Sequence, residues 1–576
     1  MAGNLPRLEP GSDYVPIQDT TFSIDAIGRY VCSLWHEAVH SGGAPFDAVV
    51  IGAGMYGSYC AHKIYRLGAQ QNLRVLLLEA GSFLVSEHIQ NLARIGLNVP
   101  SPMPPTHDSG QPRELVWGIP WRSHDSFPGL AYCVGGKSLY WGGWCPRLTA
   151  ADLHRWPVTV RDYLEAMYPF VEADTGVSQT ADFINGPLYE ALKEAVQNAA
   201  PLTPNIDLTT PVNGVEPAPL AVQGEPPASG LFSFDKFSAT PLLIDSIREN
   251  AMNSGGNDAQ RRLFLVPRAH VTRLEVDGDR VVAIHVYVNG KLERLPLAPT
   301  CRVILSMSTI ETTRLALTAF PTPLMGRNLM AHTRSDFTVR IRRSTLGPLP
   351  PHLQTAALLV RGRTQQGVFH LQVTAAANQA SESDELLFRM IPDIDALDQI
   401  LANHDSEWVA ITMRGIAEMH GDRATPIPHG SSWINLSPYD FDEFGMPRAW
   451  VQLGLSAEDV QLWRAMDETA LALAQRLAGG PNNVQYHYDG AWHAQPHPLD
   501  RPYPEWHRGL GTTYHESGTL WMGDDPSESV TDTTGRFHNI VNAYACDQSL
   551  FPTAGSANPV LTGLTLAHRV AEAISS

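Results

Sequence analysis

The chain has 576 residues, a length that suits more than one domain, or one domain with large insertions, around a sizeable core. Its formal net charge of −18 excludes the global basic field that nucleic acid or an anionic membrane surface would require. No apolar run reaches the roughly 18 residues of a spanning helix, the opening MAGNLPRLEPGSDYVP lacks a secretory pattern, and the six cysteines are scattered without C-x-x-C spacing. These features lead to the expectation of a cytoplasmic chain with no membrane partner, no zinc knuckle and no disulfide framework.

Residues 20–40 place Phe22, Ile27, Val31, Leu34 and Trp35 near helical spacing, and Gly42-Gly43 closes the run, which predicts a leading helix. FDAVVIGAG then reads as a buried strand, SYCAHKIYRLGA as a helix and LRVLLLE as a second strand, a βαβ unit on a parallel sheet. At its turn stands Gly52-x-Gly54-x-x-Gly57. The first glycine permits the tight turn, the second lets backbone approach a pyrophosphate, and the third allows close helix–strand contact. Phosphates then meet the free N–H groups of the helix N-terminus. Glu79, 22 residues beyond Gly57, can accept from both ribose hydroxyls. An adenine dinucleotide is implied, and NAD and FAD both suit this turn.

Proline-rich stretches at 99–130 and 201–230 are expected to be lids, substrate-facing loops or interface arms. Residues 262–306 read as consecutive strands with turns at Asp277-Gly278 and Asn289-Gly290. A packing helix is expected over 457–478, capped by Ser456 with Asp459 as its capping-box partner and stopped at Gly479-Gly480. His487, His493 and His497 lie in a proline-broken segment without helical i, i+4 support, so no metal is expected there. Trp117, Trp121, Trp144 and Trp492 could stack on a sugar face, but loop aromatics more often anchor packing, and they are read as packing residues. The last segment, ANPVLTGLTLAHRVAEAI, is an amphipathic helix with proline in its first turn.

The C-terminal text YHESGTLWMG, followed by CDQSLFPTAGSANPVLTGLTLAHRVAEAI, resembles the glucose–methanol–choline (GMC) oxidoreductase family. VGGKSLYWGGWCPR at 134–147, HVTRLEVDGDRVVAIHV and MGRNLMAH at 325–332 are similar to further motifs of that family. Ser138-Leu139-Tyr140-Trp141 and SANPVLT lie nearest its pyranose oxidase branch.

The resemblance implies an α/β fold: a discontinuous Rossmann-type FAD-binding domain with a second, sheet-based substrate-binding domain. The expected division is an N-terminal arm (1–45), FAD-binding segments at 46–155, 231–340 and 506–576, and substrate-domain segments at 156–230 and 341–505. It also implies FAD as cofactor and oxidation of a secondary alcohol on a sugar or glycoside to a ketone by hydride transfer. Dioxygen or another acceptor would then reoxidise the flavin. Oxidation of aryl or aliphatic alcohols is the alternative, and a non-redox FAD-containing lyase a third reading.

By resemblance His515 is the base and Asn558 its partner on the substrate oxygen. A histidine suits the task because its ordinary pKa lies close to neutrality. Asn558 is also expected to cap the last helix, whose N-terminus around Pro559 and Val560 favours negative charge on the flavin. Gly135, Gly136, Ser138 and Trp141 would face the flavin, Asp547 its ribityl and pyrophosphate part, and Val271 the adenine. Two departures stand out. Tyr140 occupies the place of the histidine that links flavin covalently in pyranose and choline oxidases, which implies non-covalent FAD. Ser308 stands where the family usually has glycine, which puts the local backbone geometry in question.

Overall fold

The structure is a computed structural model. It describes residues 26–91, 117–124, 129–178, 186–209, 214–223, 235–377, 387, 400, 403, 405–424, 431–497 and 506–576. Much of both proline-rich stretches, and Phe22 of the leading segment, lie outside these residues.

Three strands begin the argument: β1 (Ala48–Ile51), β2 (Val75–Leu78) and, from the middle of the chain, β3 (Leu263–Val266). They read AVVI, VLLL and LFLV and are buried along their whole length, the pattern of parallel strands covered on both faces. With β4 (Arg302–Leu305) and β5 (Ala543–Ala545) they form a five-stranded parallel sheet in the order β3-β2-β1-β4-β5. The helix α1 (Met55–Leu67) makes the crossover from β1 to β2 and packs against α2 (Val560–Ser575), the last helix. One sheet therefore gathers strands from three distant parts of the chain.

Between β3 and β4 runs the meander expected at 262–306, with strands His270–Asp277, Arg280–Val288 and Lys291–Pro296. Its second turn holds Asn289 and Gly290 at φ of 53° and 72°, which Asn and Gly tolerate best.

The second sheet is antiparallel and seven-stranded. Its long strands are β6 (His332–Arg342), β7 (Gln354–Arg363), β8 (Val368–Ala377) and β9 (Trp408–Glu418), with β6 beside β9, β9 beside β8 and β8 beside β7. Strand β6 straddles residue 340, where the sequence was divided, and Val215–Pro217 joins the outer edge of β7. Side chains alternate along these strands. Phe337, Val339, Leu371, Val373, Ile411 and Met413 share one apolar core with Leu462, Trp463 and Met466 of α3 (Ala457–Leu477). The other face carries His332, Arg334 and Asp336 of β6, Arg414 of β9, and His370 and Gln372 of β8. α3 is the packing helix expected at 457–478, and its Ser456–Asp459 capping box is formed.

The leading segment differs from expectation. It holds two short helices, Ala26–Val31 and Trp35–Val39, separated by Cys32–Leu34. At the break the Ser33 N–H donates to the Leu265 carbonyl at 2.7 Å, and that tie to β3 competes with a continuous helix. No described helix is long and apolar enough to cross a membrane.

Candidate active site

A cavity of about 580 Å³ opens at the carboxyl ends of the parallel strands, between the two sheets. Open α/β sheets bind ligands at such strand ends. Ile51, Leu78 and Ser306, at or just past the ends of β1, β2 and β4, line it on one side, and Arg334, Gln372 and Arg414 of the antiparallel sheet line it on the other.

The glycine turn behaves as its spacing predicts. Gly52 has φ +99°, and a Cβ there would meet the Ser306 carbonyl oxygen at 2.3 Å. A Cβ on Gly57 would lie 1.9 Å from the Gly52 oxygen, so α1 packs onto β1 at a distance only glycine permits. Gly54 lines the cavity, and a Cβ on it would meet nothing within 4 Å. Space is therefore held open at the helix N-terminus, where a pyrophosphate would approach backbone.

Glu79 is buried on the cavity wall, and its two oxygens accept from the Ala53 and Gly81 N–H groups, each at 2.8 Å. Burial pushes its carboxyl up to about 7, against the pull of those backbone donors. A ligand hydroxyl donating here would favour the ionised form.

Gly136, Ser138, Tyr140, Trp141, Val271, Pro559 and Val560 also line the cavity. Gly135 stands behind them: at φ +90° it donates from its N–H to the Ala53 carbonyl at 2.7 Å and joins the two flavin-type motifs. Asp547 is placed differently from expectation. Its carboxylate accepts from the Thr312 hydroxyl at 2.6 Å and the Ser549 N–H at 3.0 Å, capping a short turn, while its neighbour Gln548 reaches the cavity. Ser308 has φ +72°, the conformation that favours the glycine it replaces.

His515 and Asn558 come together. The Nε2 of His515 lies 3.4 Å from the Asn558 amide nitrogen, and its Nδ1 lies 2.7 Å from Nδ1 of His332. The other nitrogen of His332 is 2.8 Å from the Gly555 carbonyl oxygen. A carbonyl only accepts, so His332 carries its proton on Nε2 and accepts at Nδ1. His515 then donates from Nδ1, and its Nε2 keeps a bare lone pair on the cavity side. Asn558 turns its NH₂ toward that lone pair, and its Oδ1 accepts from the Gln372 amide at 2.7 Å. The expected N-cap role is not what Asn558 does: the cap position of α2 is Pro559, without a side-chain bond. Competition from Gln372 and His515 explains the difference.

Burial holds His515 well below the usual histidine range, helped by Arg334 and Arg414 and by repulsion from His332 and His370 whenever these carry a proton. Arg334, Arg414 and Arg508 converge on Asp336 at 2.7, 2.9 and 2.8 Å. Together they hold its carboxyl far below the normal range despite its burial.

The comparisons with known proteins follow the same text. Residues 428–567, which include His515 and Asn558, match the sequence profile described as GMC oxidoreductase. This chain carries the C-terminal region of a GMC oxidoreductase. It is 23% identical to the fructose dehydrogenase large subunit of Gluconobacter japonicus, over 92% of this chain and 97% of that one. Over 61 residues, 11% of each chain, it is 43% identical to paromamine 6'-oxidase of Streptomyces fradiae. A solved formate oxidase from Aspergillus oryzae superposes with TM-score 0.57 at 15% identity, covering 92% of this chain and 98% of that one, which establishes the shared fold. The relatives are oxidases and dehydrogenases, and the formate oxidase carries FAD.

The residues of this chain suit that cofactor. Gly54 leaves room for a pyrophosphate, Glu79 offers acceptors to a ribose, and the cavity wall carries partnerless hydroxyls on Tyr140 and Thr513.

Several residues around His515 and the cavity escaped the sequence reading. His332 ends the motif MGRNLMAH, whose text was legible while its contact with His515 was not. Gln372 and Arg414 lie in strands whose period-two polar face was the available signal. Trp117 and Trp144, read as packing residues, are buried and also line the cavity.

Proposed function

We propose that this GMC oxidoreductase is an FAD-dependent enzyme that oxidises a secondary hydroxyl of a sugar or glycoside to a ketone, with His515 as base. The observation that carries the reading is the one-way hydrogen-bond chain from the Gly555 carbonyl through His332, which leaves Nε2 of His515 unprotonated at the cavity beside Asn558. His515 Nε2 takes the hydroxyl proton, and the Asn558 amide holds the same oxygen, so that negative charge developing there meets a donor already in place. When bound, FAD supplies the acceptor for the carbinol hydrogen and its electron pair. The N-terminus of α2 at Pro559 and Val560 provides a positive dipole end on the cavity wall. Gly52, Gly54, Gly57 and Glu79 hold the adenine-side half of the cofactor, with Val271 at the adenine, and Gly135, Gly136, Ser138 and Trp141 belong to the flavin side. Tyr140 leaves the flavin without a covalent link.

The full-length likeness to a fructose dehydrogenase and the local likeness to paromamine 6'-oxidase support a carbohydrate substrate. The test is an anaerobic visible spectrum of the purified holoprotein titrated with monosaccharides, glycosides and simple alcohols, followed by admission of air and a peroxide assay. Bleaching by a sugar or glycoside is expected. Fast peroxide formation on air would make the enzyme an oxidase, and slow reoxidation a dehydrogenase with another acceptor. Bleaching by simple alcohols alone overturns the carbohydrate assignment. Flavin attached to the denatured chain in a mass spectrum overturns the non-covalent one.

A further inference from the structure

Two side chains join the glycine turn to the loop that carries His515. Tyr56 occupies an x position of Gly52-x-Gly54-x-x-Gly57 in the first turn of α1, Gln548 stands just past the end of β5, and both line the cavity. The Gln548 amide nitrogen donates to the Tyr514 carbonyl at 3.1 Å and to the Glu516 carbonyl at 2.7 Å, the two peptide oxygens on either side of His515. Carbonyls only accept, so the NH₂ must face them, and Oε1 turns to Tyr56, whose hydroxyl donates to it at 3.0 Å. The amide therefore has one orientation. The Tyr56 ring has as little freedom, since it lies against α2 where a Cβ on Gly563 would meet its Cε1 at 2.4 Å. The loop needs such a clasp, because Tyr514 has φ +60°, a left-handed conformation that is costly to a non-glycine residue and persists only where its surroundings impose it. Thr309 shares the hold on the Glu516 carbonyl.

We propose that Gln548 is a positioning residue for His515 and that Tyr56 sets its orientation, so that the glycine turn and the loop of the base are held in one fixed relation. The inference rests on the reading of His515 as base and goes further by naming what aims it. The bonds of Gln548 go to the peptide groups before and after His515, not to the ring, and act through them on the direction of Nε2. A reacting group displaced by about 1 Å loses on the order of 10²-fold in rate while the fold stays intact.

The test combines stopped-flow flavin reduction of the holoprotein, by whichever compound of the sugar and alcohol panel bleaches wild type fastest, with FAD content and hydrogen exchange of the amides at 514–517. Gln548→Met keeps the side-chain length and removes all the amide's bonds, so reduction is expected to slow by about 10- to 100-fold while FAD content and substrate dissociation constant stay within about threefold. The 514–517 amides should exchange about 10-fold faster in it. Tyr56→Phe keeps the ring against Gly563 and removes only the donor to Oε1, so it should slow reduction by about 3- to 10-fold and add nothing to Gln548→Met. In a His515→Ala background Gln548→Met should likewise add nothing, because no base is left to aim. A further loss there as large as in wild type means that Gln548 acts on the fold or the cofactor, and the proposal is wrong. Unchanged reduction and exchange in Gln548→Met overturn it as well. Should the methionine protein not fold, Tyr56→Phe decides, and wild-type reduction and exchange in that variant overturn the clasp. A fully active His515→Ala enzyme brings down the base reading and this inference together, whereas a slow His515→Ala beside a fully active Gln548→Met defeats this inference alone.

Discussion

His332 presents a bare Nδ1 to the Nδ1–H of His515 across 2.7 Å while its Nε2–H is held by the Gly555 carbonyl at 2.8 Å. A peptide oxygen that cannot donate thereby dictates which nitrogen of the proposed base is free. His332→Phe removes this dictation, and kcat is expected to fall by up to roughly 10⁴-fold, the cost of a wrong histidine tautomer in the Ser-His-Asp triad. His332→Gln can still accept from His515 and donate to Gly555, so it should recover most of the loss. Equal damage in the two variants would mean that His332 acts by packing alone.

His515→Ala should leave a yellow protein whose reduction is about 10²- to 10⁴-fold slower, the usual contribution of a general base. Asn558→Ala should cost less, since the base survives. Stopped-flow reduction of both holoproteins decides this, and a fully active His515→Ala enzyme removes the base assignment.

The acid limb of activity is expected well below pH 6.5. Burial and the guanidinium groups of Arg334 and Arg414 keep His515 neutral, so it remains competent as the pH falls through the range where an exposed histidine would protonate. The same physics has a stability consequence at His332, where burial lowers the pKa to about 4. A histidine depressed in the folded state resists protonation there while the unfolded chain accepts it below about 6.5, so folding free energy is lost as pH drops. Thermal melts of wild type and His332→Gln at pH 7 and 5 should show wild type losing ground by roughly 2 kcal/mol, about 1.4 for each pH unit below 6.5.

Glu79 titrates in the opposite sense. Its folded carboxyl is raised to about 7 by burial, so without cofactor the protonated form gains as pH falls from 7 toward the ordinary carboxylate value. A ribose hydroxyl needs the carboxylate as acceptor, so FAD retention should weaken below about pH 7. Flavin remaining on the protein after gel filtration at pH 8 and pH 6 measures it. Glu79→Gln should bind FAD more weakly at both and lose the pH dependence.

Ser308 pays for its left-handed backbone. A non-glycine residue in that region costs about 1–2 kcal/mol, partly offset by the greater chain entropy that glycine loses on folding. Ser308→Gly is therefore expected to stabilise the fold by up to about 1 kcal/mol, visible as a higher melting midpoint.

Local chemistry is legible without coordinates. The turn at Gly52, Gly54 and Gly57 is a demand on φ and on closest approach, which a single glycine either meets or fails, and Glu79 follows at a distance fixed by one helix and one strand. The Ser456 cap of α3 and the turn at Asn289-Gly290 are of the same kind. Each is decided within a few residues of itself, so sequence alone suffices.

The partners of His515 and Asn558 are decided elsewhere. His332, Gln372 and His515 are separated by tens to hundreds of residues in the chain. They meet only because an antiparallel sheet lays its polar face across the ends of a parallel one. Nothing in the strand VFHLQVTAAA tells a polar face that meets water from one that meets a base, since both alternate every second residue. The same limit applies to Asp547 and Asn558: sequence places each beside a helical turn, and only the packed chain shows that one caps its turn while the other leaves its helix for His515. Residue spacing specified the glycine turn, and tertiary packing specified which nitrogen of His515 is free.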